Sequence, residues 1–132
     1  MSILFDKTAQ VLKKSLDLRS INQQVIASNI ANAETPGYAV QRFEFQQSLR
    51  EALLAERSPL WRTHARHLPS GQLDQVQGRL VSHPDRSGVG DGNSVNVDHE
   101  MILLTENQLM YEASTQLLNK KLGILKYAIQ GA

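Results

Sequence analysis

Apolar and polar positions alternate along this chain with two long periodic ends and an aperiodic middle. From Leu4 to Ala33 there is neither proline nor glycine, and Leu4, Val11, Leu18 and Val25 recur every seven residues beside Phe5, Leu12 and Ile26. That spacing predicts one continuous helix reaching about 45 Å, a rod rather than a core element. Asp6, Gln10, Lys13, Asp17 and Gln24 project into one narrow arc, and apolar residues occupy most of the remaining circumference. Thr8, Ser15, Asn22 and Asn29 also recur every seven residues, flanked by the apolar columns. They read either as a polar seam that fixes register within a buried face or as the surface of a partly exposed groove.

Glu34-Thr35-Pro36-Gly37-Tyr38 ends this helix. Proline drives Thr35 out of helical geometry, and Pro-Gly favours a type II turn with Gly37 at positive φ, aiming Tyr38 and Phe43 back at the helices. Val40, Phe43 and Phe45 follow at mixed spacing. Phe45, Leu49, Ala52 and Leu53 then restore a helical period to about Glu56, which predicts a short second helix.

Between Ser58 and Gly92 stand Pro59, Pro69, Pro84 and five glycines, with few apolar residues at regular spacing, so a loop with room for no more than a small hairpin is expected. Alternation over Gln75 to Val81, around Gly78, is too weak to define a strand pair. Ser87 to Ser94, with Gly88, Gly90 and Gly92, reads as the most flexible stretch.

Beyond Asn93 the period returns. Val97, Leu104, Tyr111, Leu118 and Leu125 recur every seven residues, and Asn96 or Asp98 can cap the helix they define. A second apolar column, Leu103, Met110, Leu117 and Ile124, runs beside the first. Glu100, Glu106 and Glu112 come early and Lys120, Lys121 and Lys126 late, in keeping with the helix dipole.

The expected fold is all-α, a single domain over 1–132. It comprises an N-terminal helix in 1–35, a turn and short helix in 36–57, a loop-rich flexible middle in 58–94, and a C-terminal helix in 95–132. The terminal helices are expected to pair as an antiparallel coiled coil through Leu4, Val11, Leu18, Val25, Leu104, Tyr111, Leu118 and Leu125. Pairing of that kind leaves the Leu103 to Ile124 column and half of the first helix uncovered. A contiguous apolar surface of that size calls for other chains, so an assembling protein is favoured over a self-sufficient bundle.

Composition narrows the function classes. A chain of 132 residues with 41% hydrophobic and 5% aromatic content makes one lean, aliphatic domain, and the lack of cysteine excludes a disulfide scaffold and thiolate metal sites. No apolar run approaches the ~18 residues that span a bilayer, and the stretch from Met1 to Asp6 has neither the basic nor the apolar region of a secretory signal, so no membrane anchor and no cleaved signal are expected.

His64-x-x-His67, with His83 and His99 apart from it, lacks an acidic partner and is flanked by Arg62 and Arg66, which repel a cation. Gly88-Val89-Gly90-Asp91-Gly92 lacks the lysine and hydroxyl of a phosphate loop, and the calcium-loop reading of Asp91-x-Asn93 fails at Val95 and Ile102. Arg57, Arg62, Arg66, Arg79 and Arg86 make the middle basic but lie outside any nucleic-acid recognition module. No catalytic, cofactor-binding or metal-ligating residues are therefore assigned, and an enzyme is not expected.

Ser28-Asn29-Ile30-Ala31-Asn32-Ala33-Glu34-Thr35-Pro36-Gly37-Tyr38 resembles the signature of bacterial flagellar basal-body rod, hook and hook-associated axial proteins, whose N-terminal helix ends in such a turn. Gly92-Asn93-x-Val95-x-Val97-Asp98-x-Glu100-Met101 and Glu106-Asn107-Gln108-Leu109-x-Tyr111 are similar to proximal rod proteins of the FlgB type, and Thr63-x-x-x-His67-Leu68 to their middle motif. A sibling proximal rod protein shares the N-terminal turn, so the finer assignment rests on the C-terminal half.

The resemblance implies a structural subunit of the flagellar rod in the periplasm, exported without signal cleavage by the flagellar type III apparatus. Its implied partners are further copies of itself, the other proximal and distal rod proteins and the rod-to-membrane-ring junction protein. Asn29, Asn32, Ala33, Thr35, Pro36, Gly37 and Tyr38 would be the assembly and turn residues. The competing reading is a soluble helical adaptor or binding bundle.

Overall fold

The computed structural model describes residues 7–57 and 73–131. Helix α1 spans Lys7–Ala31, strand β1 Val40–Glu44, helix α2 Gln46–Arg57, a single 3-10 turn Leu73–Gln75, strand β2 Arg79–His83 and helix α3 Val97–Gln130. The two long helices run antiparallel. Asn22 Nδ2 donates to Asn107 Oδ1 at 3.0 Å, and seven residues further along α1 Asn29 Nδ2 donates to Glu100 Oε2 at 3.0 Å, seven residues back along α3.

α1 ends at Ala31, earlier than Pro36 alone would require. The Asn32 N–H is shared between the carbonyls of Ser28 and Asn29, and Ala33 and Thr35 bond three residues back, so the last turn tightens before the proline. Tyr38 N then bonds Thr35 O at 3.2 Å, with Gly37 at φ 71, the positive value a type II turn needs at its third position. At the start of α3 the cap is Asn96, whose side chain accepts from His99 N.

The chain is not all-α. β1 and β2 form a two-stranded antiparallel sheet with Val40 opposite His83, Arg42 opposite Val81 and Glu44 opposite Arg79. A short hairpin within the middle does not account for it, since β1 comes from the segment just after the turn. Exposed polar side chains interrupt alternation on both strands, and Leu80 is itself 57% exposed, so neither strand carries a clear period. Gly78 has a steric role: a Cβ there would stand 2.0 Å from the Phe43 ring, which lies over the bare backbone.

The middle also corrects the expectation that half of α1 stays uncovered. Leu18, Phe45, Ala52, Leu73 and Val76 form one buried cluster, with Val11, Phe43, Leu49 and Leu53 packed around it. The Phe43 and Phe45 rings lie 5.5 Å apart, and the Arg19 guanidinium sits 5.8 Å from the Phe45 ring centre. Thus 73–76 and α2 cover α1 around Leu18. The loop expectation is replaced by this packing for 73–83, while 58–72, including Trp61, His64 and His67, lies outside the described residues.

α3 keeps the uncovered column foreseen for it. Leu103 is half-buried, whereas Met110, Leu117 and Ile124 are exposed, as are Ile102 and Leu109.

Candidate assembly junction

Where α1 ends, the polar residues of α1, β1 and the start of α3 converge on Asn29. Its side chain is fully buried and uses both ends: Nδ2 donates to Gln41 O at 2.8 Å and to Glu100 Oε2, while Oδ1 accepts from Gln41 N at 2.9 Å and Tyr38 Oη at 3.2 Å. An amide is the side chain that can do this, because it presents two donors and an acceptor in one plane. Glu100 is also fully buried and is held in a fork by Arg42, whose Nη1 reaches Oε2 at 3.0 Å and whose Nη2 pairs with Oε1. Arg42 Nη1 bonds the Gln41 carbonyl as well, which closes the network on itself. With a counter-ion and a hydrogen bond on its carboxylate, Glu100 can stay inside; unpaired, it would cost several kcal/mol, about 3 to 5 by analogy with other buried pairs.

Two heptads along α1 from Asn29, Ser15 is buried too, and Asn22 is half-buried against Asn107, which is 3% exposed and donates to Arg19 O at 2.9 Å. The polar column therefore runs inside the helix interface at these positions, while Thr8 is exposed. The groove reading fails at Ser15 and Asn29, whereas Asn22 also borders an open groove between α1, β1 and α3.

A second set of bonds sews the turn to the loop before α3. Asn93 Nδ2 reaches the carbonyls of Asn32, Ala33 and Thr35 at 2.9, 2.9 and 2.8 Å, in the turn that follows α1. Gly37 N bonds Asp91 O at 2.8 Å, and Ser94 N bonds Tyr38 O at 3.1 Å. Ser94 Oγ accepts from Val40 N and donates to His83 O, tying both strands. This is why 87–94 is organised where a flexible stretch was expected: Gly88, Gly90 and Gly92 all take positive φ, and Gly92 packs so near Gly37 that a Cβ would meet its Cα at 3.5 Å. Asn93→Ala is expected to remove those donors and cost about 1 to 3 kcal/mol, seen as a fall of several degrees in the thermal midpoint.

Of the residues expected at the turn, Asn29, Tyr38 and Gly37 enter this junction directly. Asn32 bonds Ser28 O and accepts from Thr35 Oγ1 at 3.2 Å, Ala33 contributes its carbonyl, and Pro36 is exposed. Among the helix positions, Leu18 is buried in the cluster beneath α2. Val11, Val25, Leu104, Tyr111, Leu118 and Leu125 are half-buried, and Leu4 lies outside the described residues. Sequence reasoning missed Arg42, Ser94 and Gln41. Asn93 and Glu100 did stand within the motif quoted for the last helix, but as lettering rather than as partners of Asn29.

Beside the junction a groove of about 720 Å³ opens between α1, β1 and α3, bounded by Arg19, Arg42, Phe45, Glu51 and Glu106. Burial pulls the Arg19 guanidinium below its ordinary range, and Glu106 partly offsets this.

Residues 14–38 match the family model described as the flagella basal body rod protein. The flagellar basal body rod protein FlgB of Aeromonas hydrophila is 36% identical over 99% of this chain and 98% of its own length. The chain belongs to the FlgB family of flagellar basal body rod proteins. Its likeness to the FlgB of Bacillus subtilis (strain 168), 35% identical over 97% of each chain, and of Salmonella typhimurium, 29% identical over 96% of this chain and 95% of the other, is likewise nearly full-length. Coverage of that extent includes the C-terminal half, on which the distinction from the sibling rod protein depends. The family-model match runs from beside Ser15 to Tyr38, so it contains Asn29 and the turn that the second motif locks.

Proposed function

We propose that this chain is a structural subunit of the flagellar basal-body rod and polymerises through its terminal helices into the proximal part of the axial shaft. α1 and α3 act as one antiparallel coiled-coil unit, through the apolar positions at seven-residue spacing and the polar seam between them. The role is mechanical and needs no catalytic step. Its partners on this reading are further copies of the chain, the other proximal and distal rod proteins, the rod-to-membrane-ring junction protein and the flagellar type III export apparatus. The site of assembly is the periplasm, reached without a cleaved signal.

The observation that carries this reading is a contrast within one helix pair. At the turn, the family motif is locked by a buried polar junction, while Met110, Leu117 and Ile124 stand open to solvent on the same α3. A rigid unit with an open apolar helix suits a building block.

Gly37→Val tests the turn as an assembly element. No atom lies within 4 Å of a Cβ at Gly37, so the change acts through backbone strain at φ 71, about 1 to 3 kcal/mol. The expected result is a variant that is exported but missing from purified basal bodies, read by immunoblot of both fractions. Incorporation at the wild-type level would remove the turn from the assembly surface.

A further inference from the structure

Asn93 holds the turn through one amide group. Its Nδ2 donates to three carbonyls, its Oδ1 accepts from Val95 N at 2.8 Å, and the next backbone N–H, that of Ser94, donates to Tyr38 O. These are the atoms of a known side reaction of asparagine, in which the following backbone nitrogen attacks the side-chain carbonyl carbon and expels ammonia. It requires a small following residue, a pliant backbone and an N–H that is not engaged elsewhere.

Asn93 meets the first two requirements. Ser94 has no β-branch, and Gly92 stands on the other side of Asn93, with Gly88 and Gly90 upstream. The other asparagines do not. Asn22, Asn29, Asn107 and Asn119 lie inside α1 and α3, where the next N–H belongs to the helix ladder. Asn32 is followed by Ala33, whose N–H bonds Ile30 O, and Asn96 by the β-branched Val97. The junction withholds the third requirement from Asn93, since Tyr38 O occupies the Ser94 N–H and three acceptors retain the nitrogen that would leave.

We propose that Asn93 is a deamidation site gated by docking of the turn. In the closed junction it keeps its amide. In a chain whose turn is undocked, Ser94 N attacks Asn93 Cγ, the Cγ–Nδ2 bond breaks, and ammonia departs with the proton from Ser94. Water then opens the succinimide at either carbonyl, giving aspartate or isoaspartate, so one water is consumed for each ammonia released. The inference rests on the junction geometry and is independent of the rod reading.

The product cannot dock again. An ionised aspartate has no proton to donate and would face three carbonyl oxygens. Isoaspartate also lengthens the backbone ahead of Ser94, whose N–H and Oγ tie Tyr38 and both strands.

Peptide mapping by mass spectrometry, on the full chain incubated in mildly alkaline buffer with and without urea, tests this. Asp91-Gly92 can close a similar ring, but its cycle ends without a change of mass, so a mass gain in this loop reports Asn93. In urea, Asn93 should react ahead of every other asparagine, and Ser94→Val, compared in the same unfolded state, should suppress it. Folded wild-type chain should react at Asn93 at least about tenfold more slowly than in urea. Asn29→Ala should raise the native rate several-fold at Asn93 and leave Asn119 unchanged, and Asn93→Asp should melt below Asn93→Ala. Equal rates at Asn93 in folded and unfolded wild type, or a matching rise at Asn119, would overturn the gate. A faster asparagine elsewhere in urea would overturn the site, and an Asn93→Asp chain as stable as the wild type would overturn its consequence.

Discussion

Asn29→Ala is expected to lower the stability of the subunit by about 3 to 5 kcal/mol, among the largest effects of any single truncation in the molecule. The lost packing volume is small. What matters is that the Gln41 N–H and C=O lose their shared partner, the Glu100 carboxylate loses a donor, and the Tyr38 hydroxyl must find water. Each buried group left unsatisfied costs about 1 to 3 kcal/mol. Tyr38→Phe, which removes one bond from the same hub, should cost no more than about 1 kcal/mol. Urea unfolding of the three proteins checks the ordering, and equal losses for the two variants would show that Asn29 is not the centre of the junction.

Arg42→Met should be comparably severe, about 3 to 5 kcal/mol, because it leaves Glu100 wholly buried with Asn29 as its remaining side-chain donor. Adding Glu100→Gln to that variant should recover much of the loss, since an amide can remain buried without a counter-ion and still accept from Asn29. A double-mutant cycle with these two changes should yield a coupling of at least about 2 kcal/mol. Additive effects would mean that the ion pair contributes little beyond its separate members. The exposed pair Arg79 and Glu44, 3.1 Å apart, provides the contrast: solvent screens it, and its disruption should be near the limit of measurement.

Both long helices were legible from apolar positions alone, since neither a strand nor a loop sustains a seven-residue period over many turns. The end of α1 was legible to within a few residues because Pro36 and Gly37 are local signals. Thr8, Ser15, Asn22 and Asn29 announced a polar column, but a column on one helix says nothing of what faces it. Its partners, Glu100 and Asn107, looked like ordinary residues of a helix with the expected charge polarity. The sheet was not legible for a related reason. Val40–Glu44 and Arg79–His83 are short, each is broken by charged side chains, and their pairing is a property of two distant segments together. Arg42 gave no signal, because an arginine in a short strand differs from a surface arginine only through the buried acid it meets.

The span of the junction along the chain also sets a clock. Asn29 and Glu100 are separated by 71 positions, and at synthesis rates of about 5 to 20 residues per second the first waits roughly 4 to 14 s for the second. During that interval the end of α1 has no α3 to meet, and water serves its asparagines as partner. A leucine at Asn22 or Asn29 would instead spend those seconds as a sticky patch on a nascent helix. Polar side chains at these positions keep the young chain quiet, and they tighten into structure once the last quarter of the polypeptide has emerged.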